Sequence, residues 1–328
     1  MDPLDFTGRA VVVTGGTRGI GAAIAAAFHA AGADVLICGR NPPDRPPPAP
    51  AGPASAGFAS AGPAPGGLAS GGLASGGPAG GPCRPVEFFQ ADVRDPGQAA
   101  ALIDAARSRF GRLDVLINNA GGSPEVPAGT ASPRLHAKII ELNLIAPLHV
   151  AQAANAVMRE QSSGGVILMI GSVSGTRPSP GTAAYGAAKA GLHHLATSLA
   201  AEWAPQVRVN NLVVGPVQPT PIPATAPDGT PATAPDGTPA TSPDGMPVGG
   251  SGGGSVVGSG GRPVAASTVA RTVPMGRAAT AAEVASACLL LASPLAGYIS
   301  GASLAVHGGG EWPAYLADVR DTAYRAQK

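Results

Sequence analysis

Apolar and polar positions alternate along this chain in a regular rhythm of short β-branched runs and longer Ala-rich stretches. Ala10-Val11-Val12-Val13 is apolar on both faces, which suits a strand buried inside a parallel sheet. Residues 22–31 carry the composition of a helix, and Gly32 supplies its stop. Residues 33–38 read as a second strand, so the chain opens with a βαβ unit. Further strands are expected at 86–89, 113–118, 166–170, 207–213 and 301–306. Helices are expected at 98–110, 137–158, 183–203 and 280–291. Strands alternating with helices predict an α/β fold, a doubly wound parallel sheet of the Rossmann type with helices on both faces.

Two segments break this rhythm. Residues 42–85 run through Pro46-Pro47-Pro48 and repeats of Gly-Leu-Ala-Ser-Gly-Gly, with little charge. Residues 216–263 contain an eight-residue repeat starting at Thr225, Thr233 and Thr241, then a Gly/Ser run. Such composition cannot bury a core, and disorder is expected in both. They hold most of the excess in the 48 glycines and 35 prolines. Without them roughly 235 residues remain, enough for one well-buried domain. The chain is therefore expected to be a single domain over 1–328 carrying two insertions.

Charge removes several function classes. The net charge is +1 and 12% of residues are charged, which argues against a nucleic-acid surface. No apolar run has the length and character of a membrane span. Residues 1–6 lack a basic n-region and an apolar h-region, so a cytoplasmic location is expected. Cys38, Cys83 and Cys288 are widely spaced, which fits three thiols better than disulfides or a zinc site, and no metal is expected.

Candidate chemistry starts directly after the first strand. Gly15, Gly19 and Gly21 lie between that strand and a helix, where backbone can approach a pyrophosphate and free N–H groups meet it. Past the second strand, where a carboxylate would hold the ribose hydroxyls of NAD, the chain has Arg40. A guanidinium there suits a 2′-phosphate, and Arg18 adds a second positive charge, so NADP(H) is the expected cofactor, with NAD possible. Ser172 follows the fifth strand, Tyr185 lies thirteen residues on, and Lys189 comes four after that. A four-residue spacing puts Tyr185 and Lys189 on one helix face. A nearby ammonium and an oxidised nicotinamide are both expected to lower the phenol's pKa toward a working base, with Ser172 orienting a substrate oxygen.

With these residues the chain resembles the short-chain dehydrogenase/reductase family, and within it members like the 3-oxoacyl reductases. The matches are Thr14-Gly-Gly-Thr-Arg-Gly-Ile-Gly21, Ala91-Asp92-Val93, Asn118-Asn119-Ala120-Gly121, Asn143, Ser172, Tyr185 and Lys189, with a family-like tail from Val273 to Gly309. The resemblance implies that Gly15, Thr17, Arg18, Gly19 and Ile20 cradle the cofactor. It places Asp92 and Val93 at the adenine, and Asn119, Ala120 and Gly121 along the cofactor's path. Asn119 would brace the sheet. Asn143 would kink its helix and hold a water of a proton relay. Lys189 would hold the nicotinamide ribose. The chain departs from the family after the sixth strand, where Val214-Gly215-Pro216-Val217 stands and Thr220 comes one position late. That leaves Gly215 and the Val217 backbone as the remaining cofactor contacts there, in a loop that forms the substrate lid in the family.

The expected function is interconversion of a secondary alcohol and a ketone, or reduction of a 3-oxoacyl carbonyl, by hydride transfer with Tyr185 as general acid/base. The competing reading is a non-catalytic NADP-binding or interaction module, and the intact Asn143, Ser172, Tyr185 and Lys189 weigh against it. The expected partners are a small carbonyl or alcohol substrate and, by resemblance, further copies of the chain in a homodimer or homotetramer, with neither nucleic acid nor membrane.

Overall fold

The computed structural model describes residues 2–43, 84–218, 255–257, 263–265, 269 and 271–311. Seven parallel strands form its sheet. They are β1 (Ala10–Thr14), β2 (Asp34–Gly39), β3 (Glu87–Gln90), β4 (Val115–Asn118), β5 (Gly165–Ile170), β6 (Val207–Val214) and, last in the chain, β9 (Ser303–Val306). The spatial order is β3-β2-β1-β4-β5-β6-β9. The order reverses between β1 and β4, so a crevice opens at the carboxyl ends of those two strands, where doubly wound sheets bind ligands.

Strand composition explains the two covering layers. Along β1, Val12 faces a core shared with Leu36, Leu116 and Ile167. Its neighbours Val11 and Val13 face the opposite core with Val35, Ile37 and Leu168. Apolar residues on both faces demand helices on both. Helices α2 (Pro96–Phe110), α4 (Ala146–Met158) and α5 (Ala183–Trp203) cover the first face, and α1 (Gly19–Ala30) and α6 (Ala281–Ala292) the second. Cys38 and Cys288 are buried free thiols in these cores. No helix among the described residues is long and apolar enough to cross a membrane.

Several boundaries move for local reasons. Helix α2 starts two residues earlier than its apolar spacing indicates, because Asp95 accepts from the Gly97 and Gln98 N–H groups and Pro96 occupies the first helical position. The expected helix at 137–158 starts at Pro133 behind a Ser132 cap, as α3 (Pro133–Ile140), and passes through a π-helical turn at Glu141–Ile145 before α4. Helix α6 opens on a capping box between Thr280 and Glu283.

The expected disorder of residues 42–85 falls mostly on 44–83, outside the described residues. Of the second run, residues 219–254 and 258–262 likewise lie outside the described residues. Within and just beyond it, β7 (Ser255–Val257) pairs antiparallel with β8 (Pro263–Ala265). At its start, Val217 bridges to Ala279.

Candidate active site

The loop between β1 and α1 is shaped by close packing. Gly15 and Gly19 hold left-handed φ angles of 62° and 56°, which side chains other than glycine adopt only with strain. A Cβ on Gly21 would lie 2.2 Å from the Gly15 carbonyl oxygen, so helix and loop can meet only at glycine. Arg18 is the N-cap residue of α1 and supplies no side-chain cap. Helices α2, α3 and α6 carry side-chain caps, while α4 and α5, like α1, do not. The first turn of α1 thus presents backbone N–H groups and a positive dipole end to the crevice, the arrangement an anion such as a pyrophosphate fits. Thr17 packs beside Gly39 at the end of β2, and Ile20 packs onto the core below.

Thr14 ties this loop to the neighbouring strand. Its hydroxyl accepts the N–H groups of Asn119 and Ala120, each at 3.0 Å. Asn119 returns the contact, its Nδ2 donating to the Thr14 carbonyl at 3.0 Å and the Gly15 carbonyl at 3.1 Å. Thr14 stands in the sequence motif, but its role there is set by a cross-strand contact that spacing alone does not reveal.

Arg40 is exposed at the end of β2, and its carbonyl accepts from Gln90. Asp92 lies close enough to feel the Arg40 charge. Its carboxyl is held below the usual range chiefly by hydrogen bonds from the Arg94 guanidinium. Val93 turns into the core with Leu36 and Cys38, so only its backbone remains for a cofactor.

Asn143 sits in the π-helical turn with no exposed surface. Its side chain donates to the carbonyls of Gly122 (2.8 Å) and Ile139 (2.9 Å) and accepts from the Gly122 N–H (2.9 Å). The side chain is therefore committed to holding the loop after β4. Pro147, having no N–H, cannot bond to the Asn143 carbonyl four residues before it. The Asn143 side chain lies against Gly121. Gly121 leaves the space beside it: a Cβ there would lie 2.8 Å from Asn143 Oδ1 and 3.5 Å from Lys189 Nζ.

Ser172, Tyr185 and Lys189 come together beyond the end of β5. Ser172 caps the short turn Val173–Gly175 through the Ser174 N–H. Tyr185 and Lys189 share one face of α5, and the ammonium lies 5.7 Å from the phenol ring centre. Lys189 donates to the Ile170 carbonyl at 2.8 Å. It is 4% exposed, and burial lowers its pKa to about 8. The ammonium by itself does not lower the Tyr185 pKa. Burial raises it, and a hydrogen bond from Ser172 pulls back only part of the way. Desolvation of a phenolate inside this packing outweighs the distant ammonium.

On the lid side, Gly215 has no room for a side chain, since a Cβ would meet His307 at 2.8 Å. Pro216 and Gln218 bond to Ala279 on either side of Val217, which turns Val217's own N–H and carbonyl to the opposite edge of that strand. Thr220 lies outside the described residues. His193 packs under Ser172 and accepts its N–H at 3.3 Å, a contact that the Ser-Tyr-Lys motif itself does not include. Its position four residues after Lys189 was the available signal.

Comparison with known proteins agrees with this geometry. The short chain dehydrogenase family model matches residues 9–46 and 81–230. A second model, enoyl-(acyl carrier protein) reductase, matches 256–311. An uncharacterized oxidoreductase of Mycobacterium tuberculosis is 30% identical over 95% of this chain and 96% of its own length. A 3beta-hydroxysteroid dehydrogenase of Eggerthella lenta is 29% identical over 93% of this chain and 94% of its own. Among solved structures, a double mutant of a Serratia marcescens short-chain dehydrogenase/reductase superposes with a TM-score of 0.63 at 27% identity, covering 93% of this chain and 98% of that one. The glycine loop, the Asn119 brace and the Ser-Tyr-Lys cluster thus sit in a chain whose sequence and fold both match one group of proteins, and the chain belongs to the short-chain dehydrogenase/reductase family.

Proposed function

We propose that this protein is an NADP(H)-linked oxidoreductase that interconverts a secondary alcohol and a ketone, or reduces a 3-oxoacyl carbonyl. The observation that carries this reading is the convergence of Ser172, Tyr185 and Lys189 at the sheet edge next to an uncapped, glycine-walled helix N-terminus. A nicotinamide held there supplies or accepts the hydride. Family relatives with alcohol and carbonyl substrates, such as the hydroxysteroid dehydrogenase above, support the reaction class.

The chain's own residues divide the remaining work. Tyr185 is protonated near neutral pH, because burial raises its pKa. It is thus set to donate its proton to the substrate oxygen during reduction. In the oxidative direction it takes that proton back. Ser172 donates to the same oxygen as negative charge grows on it. Lys189 brings its ammonium to the buried end of the site, where the positive charge favours the phenolate left on Tyr185 once its proton has gone. The Asn143 carbonyl offers an acceptor for a water that returns protons to this group. Gly15, Thr17, Gly19, Ile20, Asn119, Ala120 and Gly121 shape the nucleotide's path, with the backbones of Gly215 and Val217 at its far end. Arg40 and Arg18, both exposed beside that path, would pair with a 2′-phosphate.

We also read the two low-complexity runs as insertions into one domain, since the family matches leave gaps at 47–80 and 231–255. Exposed Leu290, Leu295, Tyr298 and Ile299 lie close together in sequence around the end of α6, which supports a homodimer or homotetramer.

The test is titration of the full chain with NADPH and NADH, followed by a carbonyl screen with Tyr185→Phe alongside. NADPH-dependent turnover that Tyr185→Phe abolishes without loss of nucleotide binding supports the proposal. Nucleotide binding with no turnover of any carbonyl would point instead to a binding module.

A further inference from the structure

Helix α5 presents Tyr185, Lys189 and His193 at four-residue intervals, so all three lie on one face. The first two belong to the proposed chemistry. His193 has no part in it, yet its ring is packed against the same strand end. Lys189 donates to the Ile170 carbonyl at 2.8 Å, and one helical turn later His193 Nε2 accepts the Ser172 N–H at 3.3 Å. Two successive turns of α5 therefore grip the two ends of Ile170–Ser172.

The notch that receives the ring exists only because its walls are glycine. A Cβ on Gly171 would lie 2.5 Å from His193 Nε2, and one on Gly175 would lie 2.8 Å from Cε1. Asn211 closes the far side. Its Oδ1 comes within 2.4 Å of the same point a Gly171 Cβ would occupy, and it is buried with no hydrogen-bond partner among the described residues.

We propose that His193 is a positioning residue of this site: its Nε2, seated between Gly171 and Gly175, accepts the Ser172 N–H and fixes the point from which the Ser172 hydroxyl meets the substrate oxygen. An acceptor at Nε2 places the ring's single proton on Nδ1. Burial, and then the Lys189 charge, lower the ring's pKa to about 4, so the acceptor persists throughout the neutral range. The opposite tautomer would lose the Ser172 contact and set two N–H donors against each other. This role rests on the oxidoreductase reading, but the hydrogen bond itself is open to test without a substrate.

Two experiments on the full chain decide it. In the first, imidazole nitrogen NMR of the wild type, assigned with His193→Gln, reads tautomer and charge between pH 5 and 8. The expected result is a neutral ring with an unprotonated Nε2 across the range. A protonated Nε2, or a ring that charges within the range, overturns the proposal whether or not a substrate is known. The second experiment compares His193→Leu, His193→Gln and the exposed-site control His194→Leu in NADPH titration and in turnover of a ketone found by screening. His193→Leu should leave NADPH binding and KM within about twofold and lower kcat about tenfold, the cost of one lost oriented hydrogen bond. His193→Gln, which keeps an acceptor, should recover most of that loss, and His194→Leu should match the wild type. Equal losses in the Leu and Gln variants, or a loss confined to NADPH binding, overturn the proposal. A wild type that binds NADPH and turns over nothing removes the oxidoreductase reading, and the tautomer then decides His193 alone.

Discussion

Asn143 and Gly122 hold one another in both directions: the Gly122 N–H donates to Asn143 Oδ1 at 2.9 Å, and Asn143 Nδ2 donates to the Gly122 carbonyl at 2.8 Å. A third bond, to Ile139, makes the buried amide a rivet between the π-helical turn and the loop that leaves β4. Asn143→Leu removes all three bonds and strands the Gly122 groups. The expected cost is about 2 kcal/mol of stability, measured by urea denaturation, together with at least tenfold slower turnover as the Gly121–Gly122 loop loosens. A variant as stable and as active as the wild type would refute the rivet.

Gly21→Ala tests the nucleotide cradle. The added methyl would sit 2.2 Å from the Gly15 carbonyl, which is backbone and cannot swing aside. Either α1 or the loop must shift. NADPH affinity, followed by nicotinamide fluorescence, should fall at least tenfold while the far-ultraviolet circular dichroism stays that of the wild type.

Arg40→Asp tests the choice of cofactor. Arg40 is exposed beside Asp92 at the end of β2. Replacing its guanidinium with a carboxylate removes a partner for a 2′-phosphate and offers one for ribose hydroxyls. NADPH should bind about tenfold or more weakly and NADH more tightly. An unchanged ratio of the two affinities would remove Arg40 from the cofactor site.

Lys189 carries a stability cost for its function. Burial lowers its pKa from 10.5 to about 8. Between those values the unfolded chain binds the proton more tightly than the folded one, so stability rises as pH climbs through that window and the penalty is fully present below it. The full shift corresponds to ~3 kcal/mol, of which the lost bond to Ile170 would take back ~1 kcal/mol. Lys189→Met should therefore be more stable than the wild type by ~2 kcal/mol at pH 7, with the difference shrinking toward pH 10, and should be inactive. A destabilised Lys189→Met would show that the Ile170 bond outweighs the desolvation.

The raised Tyr185 pKa gives a direction to the pH profile. The protonated phenol is the form that donates, so reduction should hold through neutral pH and decline as the phenol ionises. Oxidation, which needs the phenolate, should rise with pH over the same range. Profiles of kcat/KM in both directions check this, and a pair that moves together would sever Tyr185 from proton transfer.

The sequence by itself determined the layered sheet and the members of the Ser172, Tyr185 and Lys189 cluster. Strands apolar on both faces leave no other way to bury Val11, Val12 and Val13 together. A four-residue spacing on a helix likewise fixes a shared face before any tertiary contact forms. Only the tertiary structure decided what depends on distant segments meeting. Thr14 became a hub because β4 lies beside β1, and His193 reached Ser172 because Gly171 and Gly175 open a notch across from it. The sign of the Tyr185 shift belongs to the same class. Local charge argued for a lower pKa, whereas desolvation is a sum over every group packed around the phenol, and that sum exists only once the chain has folded.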